Sequence, residues 1–545
     1  MPTTNRRLAA LTEPLLARVR TGYWTRLVPV LALLAAVTHI PSFLRPVWSP
    51  DEGFLATQAR MLADGGVLYD TVVDRKPPLL PWLYEACFTV FGSLSLWPLR
   101  TLAIVAHLVT AIMLASIARG RWGGSTAPPA AERPGAPAPP AGTAPDPRTG
   151  SSSLSAPARP STRGNRAGAA AGVLYLLLSI GLSPEDTQAA TFEVFMLPAM
   201  VAAFRYAERR RWLAAGIAVA LCSLTKQTGG AVMLPVLWML FQDSRRRGVR
   251  WMPALFKIGF GFALPIALVA VILTKPKGFL FWVVTGSGDY ASFGGDLVQM
   301  TGRALGNSAI LLGAGLGLVL PLGHRLWLKY RRRPLPAAGE ERGSTADLWV
   351  WLLSSVVAVS VGFHFFGHYY LQLMPPLVLL GVGAVSTSAI RWKPVMVYST
   401  VAATTFWVLA VAWPGERLDR TTEVATAVAA QTTPKDTVLV WGMHPELYWL
   451  ADRRPATRYL TAGFLTNFSG GKDGGQNVGE KYSVTGAWQT FDAELLANGL
   501  PEIVVDDSGP APYQPFLVPR IENLLETHYE MVGVFTDTVV YRLKR

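Results

Sequence analysis

The feature that most constrains this chain is the absence of charge in long blocks. Residues 27–44, 101–118, 167–184, 258–274, 304–324, 348–390 and 394–415 contain no Asp, Glu, Lys or Arg. Most approach the roughly 20 apolar residues that a helix needs to cross the hydrocarbon core of a bilayer. Such blocks fold as membrane helices, because a helix in lipid satisfies its own backbone hydrogen bonds. The block 348–390 is 43 residues long and carries Pro375 and Pro376 past its middle, so it reads as two spans with a hairpin at His368, Tyr369 and Tyr370. Three shorter pieces extend the series: 187–204, interrupted by Glu193, and the pair 212–225 and 227–242, separated only by Lys226. The expected fold class is an α-helical polytopic membrane protein with about eleven transmembrane helices.

Charge placement gives the expected orientation. Only 16% of residues are charged and the mean hydropathy is +0.29, yet the net charge is +14. With the N-terminus inside, the segments assigned to the inner face hold 29 basic and 8 acidic residues, and the remainder of the chain carries a net −7. Cytoplasmic loops retain Lys and Arg, so the N-terminus is expected in the cytoplasm and the C-terminal end outside. The basic residues form short juxtamembrane clusters such as Arg245, Arg246, Arg247 and Arg331, Arg332, Arg333. That pattern fits lipid headgroups and excludes nucleic acid as a partner. The first apolar run is longer than the core of a signal peptide and is read as an uncleaved span. Richness in Ala, Arg and Pro points to a bacterium with a GC-rich genome and hence to a plasma-membrane location, multi-pass. Cys87 and Cys222 lie in apolar surroundings and make neither a disulfide framework nor a thiolate metal site.

The expected organisation is a cytoplasmic N-terminus over 1–26, a multi-span membrane domain over 27–415, and a small extracytoplasmic α/β domain over 416–545. Within the membrane domain, 45–100 is a first outer loop dense in charge and aromatics. Residues 119–166, rich in Pro, Ala, Gly, Ser and Thr, are expected to form a disordered cytoplasmic loop. A second outer loop over 275–303 carries Trp282, Tyr290 and Phe293. In the last domain, helices are expected at 420–431 and 519–528, and strands at 437–441, 502–505 and 538–542.

Chemistry is expected where charge returns at the outer face. Ser49, Pro50 and Glu52 make a capping box for a helix running to about Ala63, which accounts for Ser49 and Glu52 but only weakly for Asp51. Acid then recurs at Asp70 and Asp74 before Arg75, Lys76, Pro77, Pro78 and Leu79. The prolines force Lys76 off helical geometry and start a new helix after it, so its ammonium is aimed at the interface. Lys226 separates apolar runs of 14 and 16 residues. Fourteen helical residues reach only about 21 Å against roughly 30 Å of hydrocarbon, which places Lys226 below the outer surface, facing a wet cavity or an anion. Glu193 is subject to the same reasoning. Of the two histidines near the outer end of the long block, His368 is the better candidate and His364 the poorer. The chain has no phosphate-binding Gly-rich loop with Lys and Ser or Thr, no dinucleotide fingerprint and no His-Glu-x-x-His signature.

Asp51 and Glu52, the run Lys76, Pro77, Pro78, Leu79, and later His368, Tyr369, Tyr370, Leu371 with two prolines, resemble the GT-C glycosyltransferases of the dolichyl-phosphate-mannose protein mannosyltransferase and aminoarabinose transferase type. The resemblance covers roughly residues 20–415 by layout. It implies an enzyme of the membrane that takes a sugar from a polyprenyl-phosphate donor and transfers it, with inversion, to a lipid, glycan or protein hydroxyl on the outer face. It places the general base at Asp51 and donor-phosphate contacts at Lys76 and Lys226, with Arg75 and His368 beside them. Asp74, Glu193 and Tyr369 are the expected substrate contacts, Glu193 by spacing alone. Glu52 is left as a helix cap, a group orienting the base, or a ligand for a divalent cation. No other cofactor or metal ligand is implied. Competing readings are a transporter or lipid flippase, a surface-polysaccharide polymerase or ligase, and a binding protein whose outer domain is the functional part.

Overall fold

A computed structural model describes residues 22–123, 162–248, 250–286, 297–331, 344–388, 390–412, 415–468 and 477–545. Tyr290, Phe293, Arg332, Arg333 and most of the expected cytoplasmic loop lie outside the described residues. The edges of that loop are helical: Arg119 and Arg121 end one helix and Arg163 and Arg166 begin the next.

The membrane part comprises α1 (Tyr23–His39), α2 (Pro50–Ala63), α3 (Leu79–Phe91), α4 (Trp97–Arg121), α5 (Thr162–Leu178), α6 (Phe192–Glu208), α7 (Trp212–Thr225), α8 (Met233–Arg247), α9 (Met252–Ile272), α10 (Leu297–Ala314), α11 (Leu316–Tyr330), α12 (Ala346–Ser360), α13 (Met374–Thr387) and α14 (Trp392–Ala412). Among the described residues, 5 helices are long and apolar enough to cross a membrane, or 6 if the bent pair α10 and α11 counts as one. That is fewer than the expected eleven, because α5, α6, α7, α8 and α12, which occupy five of the expected spans, have 17, 17, 14, 15 and 15 residues, short of the roughly 20 that a crossing needs.

Two corrections have local causes. The expected span over 304–324 is a pair of helices bent by 90°, and the break falls at Gly315, flanked by Gly313 and Gly317 in a stretch with few side chains to stiffen a turn. The hairpin in the long block lies at 361–366 rather than at His368, and Gly362, Phe363 and Phe365 there have positive φ. Pro375 is tolerated in the first turn of α13, so helical structure extends upstream through a 3₁₀ segment, Gly367–Leu373, which carries His368, Tyr369 and Tyr370.

Small residues let helices approach closely. A Cβ on Gly216 of α7 would meet the carbonyl oxygen of Ile258 on α9, and one on Gly261 would meet that of Leu213. Gly216→Val is expected to lower stability by about 1–3 kcal/mol through overpacking, measured as a lowered thermal midpoint in detergent.

The C-terminal part contains α15 (Glu416–Gln431), β1 (Thr437–Gly442), β2 (Arg454–Pro455), α16 (Ala487–Asn498), β3 (Ile503–Asp507), α17 (Pro519–His528), β4 (Tyr529–Phe535) and β5 (Thr538–Leu543). The sheet order is β2-β1-β3-β5-β4, with β2, β1 and β3 parallel and β5 antiparallel to both its neighbours. Alternation along the strands sends Val438, Val440, Ile503 and Val505 toward Val424 and Val428 of α15. The same alternation sends Leu439, Trp441 and Val504 toward Trp488, Phe491, Ile521 and Leu525 on the other face.

Helix α2 is the hinge of the architecture. Leu55, Ala56 and Ala59 belong to the core of the helical bundle, whereas Phe54 and Met61 pack against both cores of the sheet domain. Gly53 lies so close to Glu446 that a Cβ would overlap the backbone and Cβ of that residue. Thr57 Oγ1 donates to the carbonyl of Pro445 at 3.0 Å. The helix that carries Asp51 is thereby clamped between the two parts.

Candidate functional site

The start of α2 is built from its sequence outward. Ser49 is extended, its Oγ accepts from the Glu52 amide at 3.4 Å, and Pro50 opens the helix. Glu52 reaches back one residue further than a capping box requires and accepts from the Trp48 amide at 2.9 Å. It also accepts from the Ala190 amide at 3.1 Å and from Arg100 Nε at 3.2 Å and Nη2 at 2.8 Å. Glu52 and Arg100 are buried, at 0% and 1% side-chain exposure. Both oxygens of Glu52 are thus taken by N–H donors, and its side chain does not line the cavity that Asp51 faces. The helix entrance it locks directs Asp51 to the other side.

Asp51 faces a cavity of about 320 Å³, whose wall also includes Asp74, Arg75, Lys76, Lys226 and Tyr369. Lys76 Nζ lies 3.2 Å from Asp51 Oδ2 and 4.3 Å from the centre of the Phe192 ring. Its backbone is held by Asp74 Oδ1, which accepts from the Lys76 amide at 3.2 Å, and by Tyr69, whose hydroxyl donates to the Lys76 carbonyl at 2.8 Å. Lys226 occupies the break after α7 in extended conformation, donates to Glu193, and sits 3.8 Å from the Tyr369 ring centre. Glu193 is 1% exposed, pairs with Lys226 and is not among the residues that line the cavity. Arg75 stacks on Phe464 at 5.2 Å, and its carbonyl accepts from Gln227 Nε2 at 2.7 Å.

One functional group escaped the sequence reading. Asp186, on the short helix Pro184–Thr187, accepts from the His368 amide at 2.9 Å and lies 3.0 Å from His368 Nδ1. A carboxylate only accepts, so Nδ1 carries a proton and the ring presents Nε2 toward Asp51 Oδ2, 3.9 Å away. Gly367 permits this approach, since a Cβ there would strike the Asp186 carboxylate. The available signal was an acidic pair, Glu185 and Asp186, between two apolar runs. Six residues of the C-terminal part that the sequence did not single out, Met443, Pro445, Thr461, Gly463, Phe464 and Phe468, also line the cavity.

The electrostatics separate the two cavity carboxylates. Burial pushes Asp51 up, but the charges of Lys76, His368 and Lys226 outweigh it and hold the carboxyl at about 2. For Asp74 burial wins over Lys76 and two backbone amides, and the carboxyl is raised to about 6. Among the described residues no group of three or more His, Cys, Asp or Glu side chains is placed to hold a metal ion.

No protein-family model and no curated protein sequence matches the chain. Among solved structures, it is similar to ArnT from Cupriavidus metallidurans in the apo state, with a TM-score of 0.57 and 16% sequence identity over 95% of this chain and 97% of that one. It is also similar to the archaeal oligosaccharyltransferase AglB from Archaeoglobus fulgidus, in complex with an inhibitory peptide and a dolichol-phosphate, with a TM-score of 0.44 and 10% identity over 96% of this chain and 75% of that one. The likeness to ArnT extends through both the helical bundle and the C-terminal sheet, and the chain has that fold, the GT-C type implied by the resemblance of its sequence.

Proposed function

We propose that the chain is a membrane glycosyltransferase that moves a sugar from a polyprenyl-phosphate donor to an acceptor hydroxyl on the outer face, with inversion at the anomeric carbon. The observation that carries this reading is a single cavity holding a carboxylate, Asp51, opposite two ammonium groups, Lys76 and Lys226. Asp51 takes the proton of the acceptor hydroxyl as its oxygen attacks the anomeric carbon. The bond from that carbon to the phosphate oxygen breaks, and the lipid phosphate leaves with the bonding pair. Lys76, Lys226, Arg75 and His368 stabilise the charge it gains, and Asp74 and Tyr369 border the bound donor.

The Lys76 to Asp51 ion pair gives this scheme a built-in order. At a pKa of about 2, Asp51 is a weak base while Lys76 neutralises it. A donor phosphate draws the ammonium away, which strengthens the base only when the substrate is present. On this reading the chain makes about eleven crossings, with short helices sharing the depth of longer ones. Its N-terminus is cytoplasmic, and residues 416–545 cover the site from outside the plasma membrane. Purified protein in nanodiscs supplied with radiolabelled polyprenyl-phosphate pentoses and hexoses provides the test. Release of lipid phosphate together with sugar transfer supports the reading; movement of intact donor across a vesicle membrane without turnover replaces it by a flippase.

Asp74 adds a pH dependence. Tyr69, Lys76 and Asp51 surround it, and with a pKa of about 6 it is an anion beside the donor phosphate above that pH. Lowering the pH from 7.5 to 5.5 is expected to reduce the donor KM severalfold in the wild type, and Asp74→Asn is expected to remove that part of the profile. Because burial raises this carboxyl from its ordinary 3.8 to about 6, the Asp74 contribution to stability is full below about pH 4 and is lost as pH rises from there through 6.

A further inference from the structure

The sheet domain carries a second cavity, of about 260 Å³, that the transfer chemistry does not use. It lies at the carboxyl ends of the parallel strands β1 and β3, where Gly442 stands opposite Asp507. Open α/β sheets bind ligands at this edge, because the chains leaving adjacent strands diverge and open a crevice. The chain leaving β1 supplies Met443 and His444, the chain leaving β3 supplies Ser508, and α15 supplies Arg417 and Arg420. Met443 and Phe468 line both this cavity and the one that contains Asp51, so the two share a wall.

The chemistry of the lining is mixed in sign. His444 Nδ1 lies 2.9 Å from Oε1 of Glu446, a carboxylate with 0% exposure. Arg417 Nη2 stands 3.2 Å from the same ring nitrogen, and His444 Nε2 lies 3.5 Å from Asp507 Oδ2. Asp507 Oδ1 accepts from Thr538 Oγ1 at 2.9 Å, and Arg420 Nη1 stands 3.7 Å from Asp537 Oδ2. Tyr513 and Phe468, with ring centres 4.8 Å apart, form an apolar side. An anion entering here would meet Asp507 and Asp537 as well as the arginines. A neutral ring with several hydroxyls finds both donors and acceptors, and aromatic faces for its C–H surface.

Resting on the transferase reading, the geometry points to an acceptor subsite: this cavity holds one sugar ring of a glycan acceptor while a neighbouring hydroxyl of the same acceptor reaches Asp51 past Met443 and Phe468. The ring belongs either to a soluble polysaccharide or to a glycolipid. The full chain in nanodiscs, probed by saturation-transfer NMR with uncharged arabino-, manno- and gluco-pentaoses and separately with their octyl glycosides, tests the proposal and distinguishes the two sources. At least one probe is expected to bind saturably. Its affinity is expected to fall at least tenfold in Arg417→Ala/Arg420→Ala, whose side chains are exposed on α15, and in His444→Gln. Absence of binding by every probe, binding unmoved in both variants, or occupation by millimolar inorganic phosphate in place of the pentaoses overturns it. Donor turnover by the wild-type protein, measured in parallel, keeps the readings apart. Turnover without a pentaose signal overturns the subsite alone, and a signal without turnover overturns the transferase assignment.

Discussion

Asp51→Asn is expected to lower kcat for sugar transfer by about 10² to 10⁴, the range of a lost general base, which corresponds to roughly 3–5 kcal/mol of barrier. The substitution is nearly isosteric, and Asp51 lies on the cavity wall rather than in a core, so the fold is expected to survive. The variant also removes the negative charge that Lys76 neutralises 3.2 Å away. Donor binding should therefore hold or tighten while turnover collapses, a fall in kcat without a rise in KM. Lys76→Met is expected to give the complementary pattern, with weaker donor binding and a slower chemical step, because it contributes to both phosphate recognition and leaving-group stabilisation. Single-turnover assays on purified protein, with donor affinity measured separately, check both. Transfer by Asp51→Asn within threefold of wild type would sink the assignment.

How far these residues were legible in the sequence depends on whether their partners are local. The cap at Ser49, the non-helical Lys76 before two prolines and the break at Lys226 are dictated by neighbours in the chain, and all three appear where the sequence places them. In the sheet domain, the helix over 519–528 and strands near 437–441, 502–505 and 538–542 follow from the same local periodicity. Strand β4 was not legible, because its Tyr529–Phe535 segment is mostly solvent-exposed and gives no clean alternation of buried residues. Asp186 and Glu446 were illegible for a different reason. Each acts through a histidine that another segment supplies or that only a turn in three dimensions orients, and nothing in local spacing records the pairing. Bilayer crossings were counted from charge-free length, a criterion blind to the 90° bend at Gly315 and to helices too short to span alone.

Glu52→Gln is expected to act on stability, and this is where the two adjacent acids part. The carboxylate of Glu52 accepts from two amides and two guanidinium N–H groups, with no water-exposed surface. A glutamine of the same shape turns an NH₂ toward at least one of those donors and leaves the charge of Arg100 uncompensated. Breaking a buried pair in this way costs about 3–5 kcal/mol, whereas removing both partners is far less severe. Arg100 also donates to the carbonyls of Arg45 and Pro46, so Glu52→Leu/Arg100→Leu is expected to regain only part of the loss. Thermal unfolding in detergent should show a large drop for Glu52→Gln and partial recovery in the double variant. The protein that stays folded at low temperature should still turn over, since Asp51 keeps its carboxylate. If Glu52→Gln instead melts like wild type and loses kcat as steeply as Asp51→Asn, then Glu52 takes part in the chemistry directly, and the division of labour between the two acids is reversed.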